Sequence, residues 1–113
     1  MKLIIAYIQP EKLNSVKQAL YAQGIFKLSI TNALGCGEQK GYHENYRGAD
    51  IEVTLLKKVR LEIAVNADYV KPTVEGIMEG AKSGNIGDGK IFVQNLEECY
   101  RIRTGETGFE AIG

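Results

Sequence analysis

The chain has 113 residues, 44% of them apolar, with fourteen basic side chains against fourteen acidic ones. That length reads as one domain, residues 1–113, and the zero net charge argues against a general nucleic-acid binder, which needs a basic surplus to release counterions. Its longest apolar run, Leu3 to Ile8, is too short to span a bilayer, and no signal-peptide pattern precedes it.

Residues 2–8 are apolar on both alternating faces, which predicts a central strand. Pro10 then opens a helix, where its missing N–H costs little. Leu13, Val16 and Leu20 recur at helical spacing, and Gly24 is the expected stop. Ile25 to Leu34 reads as a second strand. Residues 37–55 carry Gly37, Gly41 and Gly48 in a polar stretch, and read as a long mobile loop that reaches solvent. A polar hairpin extension without a partner accounts for the same residues.

Leu55 to Val65 reads as a strand with Val59, Leu61, Ile63 and Val65 on one face and Arg60, Glu62 and Ala64 on the other. A second helix is expected to start near Val70, because Pro72 fits only its first turn, and to end by Gly84. Ile91–Val93 is a short strand, residues 100–103 suit another, and residues 102–113 form a C-terminal loop and mobile tail. The order strand, helix, strand, strand, helix, strand is the α+β, ferredoxin-like βαββαβ sandwich, an antiparallel sheet with two helices on one face. The other face then needs a cover, and oligomerisation through it is the economical answer.

Gly84-Asn-Ile-Gly-Asp-Gly-Lys90 has the spacing of a phosphate-loop motif. Ile91 stands where that motif needs Ser or Thr for magnesium, and the flanks run helix to strand, so the motif itself is rejected. Gly87 and Gly89 still permit N–H groups to converge on an anion, and Lys90 adds a charge. A plain helix-to-strand turn is the simpler account. If residues 101–103 are extended, Arg101 and Arg103 face one side together and suit a polyphosphate. A solvated arginine pair explains them equally.

Gly35-Cys-Gly37 is a weak fragment of a dinucleotide fingerprint, because no helix pattern follows it. Its glycines also allow a ligand close to the backbone. Lys58 suits a carboxylate partner or plain solvent. His43 has no second histidine or cysteine near it, and reads as a surface residue. Cys36 and Cys99 read as structural thiols in a reducing cytoplasm, with neither a disulfide framework nor a zinc site expected. Glu97 and Glu98 read as a solvated turn. The sequence offers no catalytic constellation.

Taken together, Gln39-Lys-Gly, Asn45-Tyr-Arg-Gly-Ala, Lys58-Val-Arg-Leu-Glu-Ile, Gly84-Asn-Ile-Gly-Asp-Gly-Lys-Ile-Phe-Val and Arg101-Ile-Arg-Thr-Gly-Glu resemble the nitrogen regulatory PII signal-transduction family over essentially the whole chain. The resemblance implies a homotrimer with ATP or ADP in the clefts between subunits. It implies phosphate contacts from the 83–90 loop at Gly87, Asp88, Gly89 and Lys90, and from Arg101 and Arg103 of a neighbouring subunit. Ser29, Glu62 and Ala64 fall on the adenine side, and Gly35, Cys36, Gly37 and Glu38 complete the nucleotide-binding set.

The family's T-loop corresponds to residues 37–55. The resemblance implies that its base binds 2-oxoglutarate with Mg-ATP. Gln39 is the implied magnesium ligand, and Lys58, Lys40 and Gly41 join it around the 2-oxo acid. Such a shell is chemically reasonable: magnesium wants near-octahedral oxygen coordination, which ADP, lacking a γ-phosphate, would not complete in the same way. Ligand state would then order the loop differently and shift what a partner meets. Implied partners are an ammonium transporter, glutamine synthetase and its modifying enzymes, with a membrane reached only through the transporter. Tyr46 and Arg47 fall at the partner-binding positions.

Three positions depart from the family pattern. Ile51 replaces a tyrosine that many relatives nucleotidylate, and Ala49 a serine that others phosphorylate. Regulation by ligands alone is the expectation, although Tyr42 and Tyr46 remain in the loop. Glu38 replaces a basic residue, and a carboxylate repels phosphate, so the resemblance does not fix how tightly ATP is held or how it couples to 2-oxoglutarate. Two other readings remain at this stage: a divergent sensor of another small molecule, and a slow ATPase or phosphotransferase.

Overall fold

The computed structural model describes residues 1–36 and 55–113, and the backbone of residues 43–46 and 49–52. Strand β1, Lys2–Ile8, buries Ile4, Ala6 and Ile8 on one face. A 3-10 turn at Pro10–Lys12 leads into α1, Leu13–Ala22, which buries Val16 and Leu20. Gly24 then takes φ 80, the left-handed stop expected of it. Strand β2, Ser29–Gly35, starts four residues later than the sequence suggests. Ile25 is drawn into the core instead of joining the sheet.

Strand β3, His43–Tyr46, pairs antiparallel with β4, Ala49–Glu52, so Asn45 faces Asp50. These paired strands lie within the 37–55 stretch expected to reach solvent. Residues 37–42, 47–48 and 53–54 lie outside the described residues, and with them the expectations at Gly37, Glu38, Gln39, Lys40, Gly41, Tyr42 and Arg47.

Strand β5, Leu56–Val65, alternates as its sequence predicts, with Val59, Leu61, Ile63 and Val65 buried. A 3-10 turn at Ala67–Tyr69 precedes α2, Val70–Ala81, which begins at the expected residue with Pro72 in its first turn. Strand β6, Gly89–Asn95, closes the sheet. The main sheet has the order β2-β5-β1-β6, antiparallel throughout. This is the arrangement anticipated from the element order, with the β3–β4 hairpin inserted between its second and third strands.

The core is one cluster in which Val16 and Leu20 of α1 and Ile77 and Ala81 of α2 pack on Ile4, Leu61 and Ile63. Both helices therefore cover the same sheet face. The helices meet at small residues. A Cβ on Gly80 would sit 2.4 Å from Val16 Cα, and the Ser15 hydroxyl donates to the Gly80 carbonyl at 2.6 Å. Gly80→Ala must push α1 off α2. A loss of roughly 1–3 kcal/mol is expected from such overpacking, readable as a lower urea midpoint at unchanged slope.

Among the described residues, neither α1 nor α2 covers the opposite sheet face. Register places Ser29, Glu62, Ile5 and Phe92 in one row across it, and Thr31, Arg60, Tyr7 and Lys90 in the next. Tyr7 and Phe92 meet edge to face with centroids 6.5 Å apart. Arg60 pairs with Glu62 at 3.4 Å.

Residues 100–103 are not the short strand that Arg-Ile-Arg alternation suggests. Tyr100 makes a single bridge to Thr107, and residues 102–104 turn. Gly105 and Gly108, at φ 74 and φ 65, send the chain back on itself. Ile102 is fully exposed, so no apolar face drives pairing. The expected tail contains a helical turn, α3, Phe109–Ile112, tied to the end of β5 by the Asn66 amide donating to the Phe109 carbonyl at 3.1 Å.

Candidate functional site

The loop between α2 and β6 is built from both of its ends. Asp88 turns back on the start of the loop. Its carboxylate accepts from the Ser83 N–H at 2.8 Å, from the Gly84 N–H at 2.9 Å and from the Ser83 hydroxyl. Glycines at 84, 87 and 89 take φ of 88, 100 and 110, which no side-chain-bearing residue adopts without strain. Gly89 also lies against β1, where a Cβ would stand 1.7 Å from the Tyr7 carbonyl oxygen. Lys90 follows, exposed, opposite Tyr7.

The Ser83 hydroxyl first, and then the Ser83 and Gly84 N–H groups, hold the Asp88 carboxyl below the usual carboxylate range. A lowered folded-state value means that the ionised form is favoured by the folded loop. Its contribution is present above the unfolded value and is lost as pH falls through the folded one. A carbon-13 NMR titration should therefore find Asp88 still ionised at a pH where a free aspartate is half protonated. Ser83→Ala should return it toward the ordinary value.

The Gly87 carbonyl takes two donors from other elements: the Gln9 amide at 2.8 Å and the Lys58 ammonium at 3.0 Å. Lys58 also lines a hollow of about 350 Å³ with Pro10, Asn32, Ala33, Leu34 and Lys57. The ammonium thus stands between the 83–90 loop and that hollow.

The arginines lie elsewhere. Arg101 meets Glu106 at 3.5 Å and points its guanidinium toward the Glu110 and Ala111 carbonyls. It stands beside Gly113, which also abuts Lys27, at the rim of a cleft of about 240 Å³ lined by Phe26, Lys27, Ala64, Asn66 and Tyr69. That is the Lys2–Val65 end of the sheet, whereas Lys90 sits near the Ile8–Val59 end. From Lys90 the strand β6 runs on to Asn95, about 17 Å, before the chain reaches the arginines. Arg103 is exposed in the turn.

Of the remaining sequence-derived candidates, Ser29 and Glu62 face each other across β2 and β5, and Ala64 follows on β5. Gly35 ends β2 opposite Leu56, and Cys36 beside it is an exposed free thiol. Tyr46 lies in β3 opposite Ala49. One chain therefore brings together Gly87, Asp88, Gly89, Lys90 and Lys58, and keeps Arg101 and Arg103 apart from them. Sequence reasoning missed Gln9, Ser83 and Glu106. Each acts through a hydrogen bond or ion pair that only the folded chain reveals, and only Glu106, within Arg101-Ile-Arg-Thr-Gly-Glu, lay in a quoted motif. Among the described residues, no three or more His, Cys, Asp or Glu side chains cluster as a metal site, and no helix is long and apolar enough to cross a membrane.

A ferredoxin-like domain with a hairpin inserted before its third core strand, and a glycine-rich loop tied to the rim of its sheet, defines a narrow class. The family model described as "Nitrogen regulatory protein P-II" matches residues 1–106, and the chain belongs to that family. It is similar to the nitrogen regulatory protein P-II of Mesorhizobium japonicum, at 50% identity over 112 residues covering 99% of this chain and 100% of that one. The P-II protein of Bradyrhizobium diazoefficiens shows the same identity and coverage, 50%, 99% and 100%. The nitrogen regulatory protein GlnK1 of Methanosarcina mazei is 48% identical over 114 aligned residues, covering 99% of this chain and 97% of its own. These are signalling regulators and not enzymes, so the ATPase and phosphotransferase reading falls away.

Proposed function

We propose that this nitrogen regulator reads cellular energy and carbon state by binding ADP or ATP between two copies of itself in a homotrimer, and 2-oxoglutarate when Mg-ATP is present. The observation that carries this reading is the separation of its cations. Lys90 and Arg101 stand at opposite ends of one sheet. A single phosphate chain can touch both only if the arginines come from a neighbouring copy. The face that neither α1 nor α2 covers, with Ile5, Tyr7 and Phe92, supplies apolar surface for that assembly.

The residues present fit a nucleotide phosphate. Gly89 lets the chain pass against β1 where any side chain would collide, and Lys90 stands exposed beside it. Gln39 and the phosphates would supply oxygen to magnesium, and Lys58 would meet the distal carboxylate of 2-oxoglutarate in the hollow it lines. The β3–β4 hairpin would carry the ligand state to a partner, an ammonium transporter or a nitrogen-metabolism enzyme such as glutamine synthetase, in the cytoplasm. With Ala49 and Ile51 at the modifiable positions, ligands are its regulators.

Isothermal titration tests this directly. 2-Oxoglutarate should bind with Mg-ATP and give no heat with ADP or without nucleotide. Equal binding in all three conditions overturns the mechanism. Lys58→Ala should weaken 2-oxoglutarate by about ten- to a hundredfold, the loss of one charge-assisted hydrogen bond, with ATP binding largely retained.

A further inference from the structure

We propose that Gln9 is a positioning residue for the nucleotide site, holding the Gly87–Asp88 peptide in its anion-facing orientation whether or not Lys58 is engaged elsewhere. This rests on reading residues 83–90 as the phosphate loop. Carbonyl and N–H of one trans peptide point in opposite directions. Donors from Gln9 at 2.8 Å and Lys58 at 3.0 Å fix the Gly87 oxygen on the β1–β5 side. The Asp88 N–H is thereby aimed away from them. The Asp88 side chain is itself committed to Ser83 and Gly84. Glycine at 87, at φ 100, offers little intrinsic resistance to a peptide flip, so the two donors decide its direction.

The two donors differ in their duties. Lys58 carries a charge and stands on the wall of the hollow where a dicarboxylate would bind. A carboxylate that draws the ammonium away leaves the Gly87 oxygen with Gln9 alone. The amide is neutral, so a carboxylate competes far less for it, and its reach is fixed by Pro10 next in the chain, which begins the turn into α1. Gln9 thus lets Lys58 leave without releasing the loop, and nucleotide and 2-oxoglutarate can be held together.

The test compares Gln9→Met, which keeps length without a donor, and Gln9→Lys, which keeps a donor, each alone and with Lys58→Ala. ADP affinity and the nucleotide-free thermal midpoint are the readouts. Gln9→Met should weaken ADP about three- to tenfold, and more in the Lys58→Ala background than alone. Its midpoint should match that of the unaltered protein, and Gln9→Lys should restore affinity in the Lys58→Ala background. Normal ADP binding by Gln9→Met in both backgrounds overturns the tether alone. So does a loss that tracks a lowered midpoint and is not rescued by lysine. Failure of the unaltered protein to bind ADP overturns the nucleotide reading and the tether with it.

Discussion

Gly89→Ala is expected to lower stability by about 3–5 kcal/mol, combining the strain of a disfavoured backbone region with a forced collision. A methyl on Gly89 would be placed 1.7 Å from the Tyr7 carbonyl oxygen, at a φ of 110. Neither strand can yield cheaply, because Gly89 pairs with Ile8 in the ladder between β1 and the last strand of the sheet. Against a typical total of about 5–15 kcal/mol, the variant should melt roughly 10–20 °C lower. Gly84→Ala is the control. Its φ is 88, but no atom lies within 4 Å of the added methyl, so backbone strain acts alone at about 1 kcal/mol. Thermal melts at one fixed protein concentration separate the two, since an oligomer's midpoint moves with concentration. Equal losses at both glycines would show that the contact with Tyr7 has no energetic weight.

That contrast also shows what a sequence can and cannot disclose. The glycines of the 84–90 loop were visible as backbone freedom. That one of them is obligatory because another strand passes within contact distance was not visible, because the neighbour is 82 residues away in the chain (Tyr7 to Gly89). The same holds for Gln9, which meets a carbonyl 78 residues distant. Local rules did well where one physical cause dominates. The start of α2 at Val70 follows from Pro72, and the buried face of β5 from strict alternation. They failed where a local pattern had two meanings. Arg-Ile-Arg alternates like a strand, yet Ile102 has nothing to pack against. The chemistry of the site followed the same division. Cationic residues could be named from the sequence, but which of them share one end of the molecule is decided by topology.

The separation of Lys90 from the arginines makes complementation the sharpest expected result. Lys90→Ala alone should weaken ADP by about ten- to a hundredfold, because a charged donor to phosphate is lost. Arg103→Ala should do the same. It is preferable to Arg101→Ala, whose loss also removes the ion pair with Glu106 and the contacts to the α3 carbonyls. Now let the two defective chains be unfolded together and reassembled. In a trimer whose sites each take Lys90 from one copy and Arg103 from the next, every mixed assembly contains one site with both cations. Random mixing then restores about one site in four, and titration should recover that fraction at native affinity. A site contained within one chain would regain nothing, since each chain still lacks one cation. Recovery therefore measures the geometry itself, independently of any partner protein.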